Sequence, residues 1–372
     1  MALASEANAR VFDAVWRRVD RNYYDPARTG AEWDAMRVRY RPQAMAAAGE
    51  SDLYAILNQM LASLEDGHAT ALPPTLVRNR LAQREGRSTS VGLSVRPLEG
   101  ALIVADVHPG SPASSAGVRP GWVLADLDGL PVDHRAFTPN PPHNAGFLDE
   151  NGVRVEVRLE AGEFAYAPIR TAERTNDGCL HIAFRDFLDG VSDWVTTELE
   201  RGEPSSLILD LRGNGGGLRH EMHQVLDRVF DRRVNYGVER ARTGRPRQLS
   251  VAGSGPAAFD GPMVVLVDDG SISAAELAAA VLQEAGRAIV IGQQTAGSVL
   301  FAFLTNLPDG GQLRLSERDL VLRSGRRLEG LGVTPDQVVR KSLQDWRTGR
   351  DPALAVARDH LRSRLAAMNG GS

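Results

Sequence analysis

Met263-Val-Val-Leu-Val267, Asp268-Asp-Gly-Ser-Ile-Ser273 and Ala274-Ala-Glu276 follow one another without a break, and their order decides the fold. The apolar run predicts a strand buried on both faces. The Asp-Asp-Gly-Ser stretch is turn chemistry, and a helix is expected from Ala274 to Ala285. A strand feeding a turn and then a helix sets the turn at a helix N-terminus. Backbone N–H groups point outward there, with the positive end of the dipole. Ser273 at this point can attack a carbonyl while nearby amides, beginning with that of Ala274, hold the developing oxyanion. A plainer reading uses the same residues: Ser271 or Ser273 caps the helix, and Glu276 closes a capping box on Ser273.

Neighbouring segments extend the pattern. Leu207-Ile-Leu-Asp-Leu211 is an uninterrupted apolar run that ends in Arg212-Gly-Asn-Gly-Gly-Gly217. Ala288-Ile-Val-Ile291 and Leu180-His-Ile-Ala-Phe184 read as further strands, with helices expected over Leu188–Leu199 and His220–Phe230. Buried strands joined by helices indicate an α/β layer with parallel strands. The glycines after Leu211 permit close backbone approach, and the amides of Gly215 or Gly216 are candidates for the other half of an oxyanion hole. A tight strand-to-helix turn or a phosphate loop are the alternatives. The loop lacks both the Gly-Lys-Ser/Thr ending and the Gly-x-Gly-x-x-Gly spacing of phosphate loops.

Upstream the period changes twice. Residues 5–66 read as helices: Val11, Val15, Trp16 and Val19 recur at helical spacing, and Leu53, Ile56, Leu57, Met60, Leu61 and Leu64 form an amphipathic stripe. Asp66-Gly67-His68 closes this region. From about 88 to 160 short strands alternate with turns: Val91–Val95, Ala101–Val104, Trp122–Leu127 and Val153–Val157. The expected blocks are 1–87, a helical region carrying His68; 88–162, a β-rich domain; and 163–372, the α/β core. A length of 372 residues fits two or three domains.

Composition narrows the function. A formal charge of −4 argues against nucleic acid or an anionic membrane as partner. Cys179 is the only cysteine, so an intrachain disulfide is ruled out. No apolar run approaches the roughly 18 residues of a membrane span. The N-terminus lacks a charged leader with a long apolar core, which fits a cytoplasmic chain or a mature form whose leader has been removed. His220 and His223 stand near Glu221, but a zinc site needs a third ligand that nothing flags. No metal or cofactor is expected. His181, in a strand, reads as packing.

Taken together, Asp210-Leu-Arg-Gly-Asn-Gly-Gly-Gly217, Gly270-Ser-Ile-Ser-Ala-Ala-Glu276 and Glu329-Gly-Leu-Gly-Val-Thr-Pro-Asp336 resemble the ordered motifs of the S41 peptidases. That family includes the C-terminal processing (tail-specific) proteases and the tricorn protease core. The resemblance implies a crotonase-like (ClpP/crotonase) α/β protease core with an N-terminal helical bundle and an inserted PDZ-like domain. Gly110-Ser-Pro-Ala-Ser-Ser-Ala-Gly-Val-Arg-Pro-Gly121 and Leu127-Asp-Gly129 resemble PDZ turns. Val91, Gly92, Leu93 and Ser94 resemble the loop whose amides grip a C-terminal carboxylate.

The family has a Ser–Lys style and a tricorn-like Ser–His style. The chain holds a single lysine, Lys341, far from the family's lysine position, where Ser298 stands instead. Leu64-Glu-Asp-Gly-His-Ala-Thr70 looks like the tricorn-like histidine motif. The resemblance therefore implies Ser273 as nucleophile, His68 as general base and Glu329 as the assisting acid. Gly67 holds the place of the Ser that assists the histidine in that branch, so either Asp66 orients the ring or Glu329 reaches it directly. The implied function is a serine endopeptidase acting on C-terminal tails or unfolded proteins. An inactive S41-like binder of peptides or apolar ligands is the alternative, and an acyl-CoA enzyme of the same core fold is a third reading. Family resemblance also tilts the compartment toward the extracytoplasmic side and allows a homo-oligomer.

Overall fold

The computed structural model describes residues 2–132, 143–167 and 169–369. Two compact units divide the chain: residues 1–77, 169–338 and 357–372 form one, and 78–168 with 339–356 form the other.

The first unit begins with helices α1 (Ala2–Asn22), α2 (Ala31–Ala46) and α3 (Glu50–Leu61) and a short strand β1 (Thr70–Leu72). Its second segment lays down β2 (Arg170–Arg174), β3 (Cys179–Phe184), α4 (Val191–Glu200), β4 (Ser206–Asp210), α5 (Arg219–Asp227) and β5 (Val234–Ala241). Then come β6 (Arg247–Val251), β7 (Met263–Val267), α6 (Ala274–Glu284), β8 (Ile289–Gly292), β9 (Phe301–Asn306), β10 (Gln312–Leu322) and β11 (Gln337–Val338). One six-stranded sheet runs β2-β3-β4-β7-β8-β11. It is parallel from β3 to β11, as the apolar runs indicate, with β2 antiparallel at its edge. Every residue of β4 and β7 is buried, which is why those strands read as unbroken apolar runs. Their side chains share a core with Val191 and Val195 of α4, Met222 and Leu226 of α5, and Leu277 and Val281 of α6.

A second sheet was not legible in the sequence. It runs β1-β10-β5-β6, with β9 on the other side of β10, and all its pairs are antiparallel. Leu313 and Leu315 of β10 and Leu307 after β9 pack with the helical stripe of Leu53, Leu57, Met60 and Leu61. Strand β1 joins this sheet in the register Thr70↔Arg314 and Leu72↔Gln312. The N-terminal helices are therefore tied to the core unit by both packing and a ladder.

The second unit is antiparallel. Leu93–Leu98, Ala101–Val107, Val123–Leu127, His143–Leu148 and Arg154–Leu159 pair in that order, with Leu130–Pro131 beside Val123–Leu127. Arg87–Ser90 pairs separately with Gly162–Ala165. A four-residue helix, Pro112–Ser115, is capped by Ser111, as the turn chemistry of that stretch anticipates. Residues 339–356 return to this unit, and Lys341 Nζ lies 3.9 Å over the Trp346 ring.

Candidate active site

Ser273 sits where β7 has turned into α6, at φ 57° and ψ −113°. A non-glycine residue in this region is strained, and such strain persists only where the surroundings over-determine it. Here the surroundings are explicit. The Ser273 N–H donates to the Ser298 carbonyl at 2.9 Å and to Glu276 Oε2 at 3.0 Å. The turn is sewn to the glycine loop: Ile272 N–H donates to the Asn214 carbonyl at 2.8 Å, and Asp268 accepts from Gly213 N–H at 2.7 Å. Ser271 is wholly buried; its Oγ donates to the Leu211 carbonyl at 2.7 Å, so its role is to lock the turn.

Gly216 lies against Ser273. A Cβ there would stand 2.7 Å from Ser273 Cβ and 2.8 Å from the Ile272 carbonyl, so no side chain fits. Ala274 N–H, at the first position of α6, has no acceptor among the described residues. The other two expected oxyanion donors are already engaged: Gly215 N–H with the Arg185 carbonyl at 3.0 Å, and Gly216 N–H with Asn214 Oδ1 at 2.9 Å.

His68 arrives from the N-terminal segment. Glu65 adopts a left-handed conformation, Asp66 Oδ1 accepts the His68 N–H at 2.8 Å, and β1 begins two residues later. Arg314 of β10 donates to the His68 carbonyl at 2.9 Å. The ring is buried, and its Nδ1 lies 3.0 Å from Ser298 Oγ. Burial first and the Arg314 charge second push the His68 pKa down to about 4, with Asp66 opposing. The imidazole is therefore neutral at physiological pH.

Among the described residues, no hydrogen bond joins His68 to Ser273; Ser298 touches both. Glu329 is brought near as well: one donor atom each of Asp66, His68 and Glu329 lies within 4.8 Å of the others. Its Oε2 is already used by the N–H groups of Val299 and Leu300, at 2.8 and 3.1 Å. Burial raises the Glu329 pKa, its two backbone donors oppose, and Asp66 and Glu276 add to the rise. Asp66 Oδ2 is buried with no partner.

Glu276 is the residue whose importance the sequence understated. Read there as half of a capping box, it is fully buried and also accepts from Thr295 Oγ1 at 2.5 Å, Gly297 N–H at 2.6 Å and Ser298 N–H at 2.9 Å. One carboxylate thus joins the Ser273 turn to the Ser298 loop. An acidic residue in an otherwise Ala/Leu helix face was the available signal.

The other candidates resolve simply. His181 Nε2 lies 3.1 Å from Asp210 Oδ2. Asp210 is deeply buried, which alone would raise its pKa, but Arg212 and His181 hold it well below the usual carboxylate range. His223 pairs with Tyr236 at 2.8 Å. Asp189, His220 and Glu221 gather donor atoms within 4.8 Å, but Glu221 already accepts the Gly190 and Ser192 N–H groups that start α4. In the second unit, Val91 is buried and Gly92 N–H donates to Ser90 Oγ at 3.2 Å. Leu93–Leu98, which carries Leu93 and Ser94, ends its sheet, with one edge free of strand pairing among the described residues.

The model of peptidase family S41 matches residues 181–339, which span the glycine loop, Ser273, Ser298 and Glu329. Residues 181–339 of the chain belong to peptidase family S41. The chain is a serine peptidase. The model of the tricorn protease C1 domain matches residues 5–62, the helical start of this S41 chain. The carboxyl-terminal-processing protease of Synechocystis sp. is 27% identical, over 95% of this chain and 86% of that one. The structure of the photosystem II D1 C-terminal processing protease superposes with a TM-score of 0.62 at 23% identity, covering 90% of this chain and 93% of that one. Mature CPAF complexed with lactacystin gives 0.70 at 13% identity, covering 99% of this chain and 100% of that one. These solved structures establish a shared α/β fold with N-terminal helices and several sheets. No helix among the described residues is long and apolar enough to cross a membrane.

Proposed function

We propose that this S41 peptidase hydrolyses peptide bonds of C-terminal tails or unfolded proteins, with Ser273 as nucleophile and His68 as general base. One observation carries the residue assignment: Ser298 bonds the Ser273 N–H through its carbonyl and the His68 ring through its hydroxyl. A lysine at that place would supply the base itself; here the chain has a serine, and a histidine stands behind it.

In the first step Ser273 Oγ bonds to the scissile carbonyl carbon while its proton passes to His68 Nε2. The C–N bond then breaks, and His68 returns the proton to the leaving amine. Water attacks the acyl-enzyme, gives its proton to His68, and the proton restores the Ser273 hydroxyl. Ala274 N–H is the available oxyanion donor. Gly215 or Gly216 joins it only by exchanging the partner it holds at rest. Asp66 and Glu329, close to the ring, oppose the positive charge that builds on it. Catalytic hydrogen bonds commonly tighten only in the substrate complex, which fits the absence of a resting Ser273–His68 bond.

The parallel sheet with α4–α6 supports a crotonase-like core, and the antiparallel unit with its open-edged Leu93–Leu98 strand supports a PDZ-like module for tails. The reading keeps the blocks 1–87, 88–162 and 163–372 as functional segments: base carrier, tail reader and core. The decisive experiment is proteolysis of an unstructured protein by wild type, His68→Ala and Ser273→Ala, with folding checked by circular dichroism. Loss in both folded variants is expected. Activity that survives His68→Ala removes the histidine from the mechanism. A wild type that neither cleaves nor labels with a serine-directed probe favours a binding protein.

A further inference from the structure

We propose that Ser298 is the positioning residue of His68, and that Gly67 exists to leave room for its hydroxyl. The inference rests on the Ser273–His68 reading above.

A histidine acts as a base through Nε2 only if its proton sits on Nδ1, and the partner of Nδ1 decides which nitrogen carries it. That partner is Ser298 Oγ at 3.0 Å. A hydroxyl both donates and accepts, so the useful tautomer requires Oγ to accept from Nδ1–H and to send its own proton elsewhere. Asp66 and Glu329 gather beside the ring, and Asp66 Oδ2 is a buried acceptor with no partner. On this proposal Ser298 Oγ takes the accepting role toward Nδ1–H.

The main chain of Ser298 is fixed independently of its side chain. Its N–H donates to Glu276 Oε2 at 2.9 Å and its carbonyl takes the Ser273 N–H at 2.9 Å. The residue that orients the base is thus bolted to the nucleophile turn.

Position 67 supplies the second, separate observation. Gly67 has no left-handed φ, so its backbone does not demand glycine. Space is tight instead: a Cβ there would lie 3.1 Å from Ser298 Oγ, close enough to press on the hydroxyl, but 3.9 Å from Ser298 Cβ. A side chain at 67 conflicts with the hydroxyl at 298 and not with the rest of that residue. The two positions therefore share one site for one hydroxyl.

The test is to move the hydroxyl. Ser298→Ala is expected to lower kcat at least about tenfold, a fraction of a general base's usual worth, with KM little changed. Ser298→Thr retains most activity. Gly67→Ser alone, which crowds Oγ, also loses activity, while Gly67→Ser with Ser298→Ala recovers it above either single variant. Nitrogen-15 NMR of the His68 ring in Ser273→Ala protein at neutral pH reads the tautomer without any turnover. The Nδ1–H form is expected, giving way to a mixture when Ser298→Ala is added. An unchanged tautomer, or a Ser298→Ala enzyme with wild-type kcat, overturns the proposal. The NMR arm stands even if wild type proves inactive, so failure of the peptidase reading and failure of this one are told apart.

Discussion

His68 titrates near 4, not near the 6.5 of a free imidazole. On the proposed mechanism the neutral ring is the base, so activity should disappear only as pH falls through that value. We expect kcat/KM to hold to about pH 5 and to fall below it, whereas an ordinary histidine would begin to fail at about 6.5. A pH profile of the wild type checks this, and an acid limb centred near 6.5 would refute it. Arg314→Gln, which removes the second cause of the depression, should move the limb upward. Linkage adds a stability term of the same sign. The folded pKa is depressed, so the contribution is complete above 6.5 and is lost as pH falls through about 4. Glu276 makes a different prediction. Glu276→Gln turns one acceptor arm into a donor facing backbone N–H groups, and each buried donor left unmade costs about 1–3 kcal/mol. Denaturant unfolding should show a loss of that order together with loss of activity. These residues also mark what sequence delivers. Ser273 was legible because strand, turn and helix are adjacent in the chain. The Ser298–His68 contact joins positions 230 apart and leaves no local pattern.

At the scale of elements, the question is what delivers a histidine from the helical segment to the core. Strand β1 does so by pairing with β10, while Asn58 of α3 accepts the Ala71 N–H at 2.8 Å across its Oδ1. Ala71→Pro removes that N–H, since proline has no backbone donor, and so cuts the tie between β1 and α3. Activity should collapse while hydrogen exchange in β4 and β7 stays slow; equal loosening of β4 would mean that β1 is a structural keystone and not a carrier of His68. The parallel strands β3, β4, β7 and β8 were legible because burial on both faces leaves unbroken apolar runs. Strand β10 was not. Gln312-Leu-Arg-Leu alternates, but Ser-Glu-Arg-Asp follows before Leu320, and buried Ser316 and Asp319 hide the period.

For the whole molecule, sequence blocks run consecutively, but compactness does not. Residues 339–356 belong with 78–168, held in part by Trp346, whose carbonyl would meet a Cβ on Gly121 at 3.0 Å. Such a return is invisible to periodicity, because eighteen residues coming home to a distant partner carry no signature of where they dock. Among the described residues the antiparallel unit they complete has two end strands, Leu93–Leu98 and Arg154–Leu159, and the first of them follows the Val91–Gly92 turn. Tail selection by this unit requires that a free carboxylate be worth something there. A charge-assisted hydrogen bond contributes about 1.5–3 kcal/mol, so amidating a peptide's C-terminus should weaken binding at least about tenfold. Fluorescence anisotropy with full-length Ser273→Ala protein isolates binding from cleavage. Gly92 N–H is held by Ser90 Oγ at 3.2 Å, so a carboxylate that recruits it must displace that hydroxyl. Ser90→Ala should therefore tighten the free acid and leave the amide unchanged. Equal affinity of acid and amide peptides would remove the carboxylate grip and leave strand addition along Leu93–Leu98 as the mode of recognition.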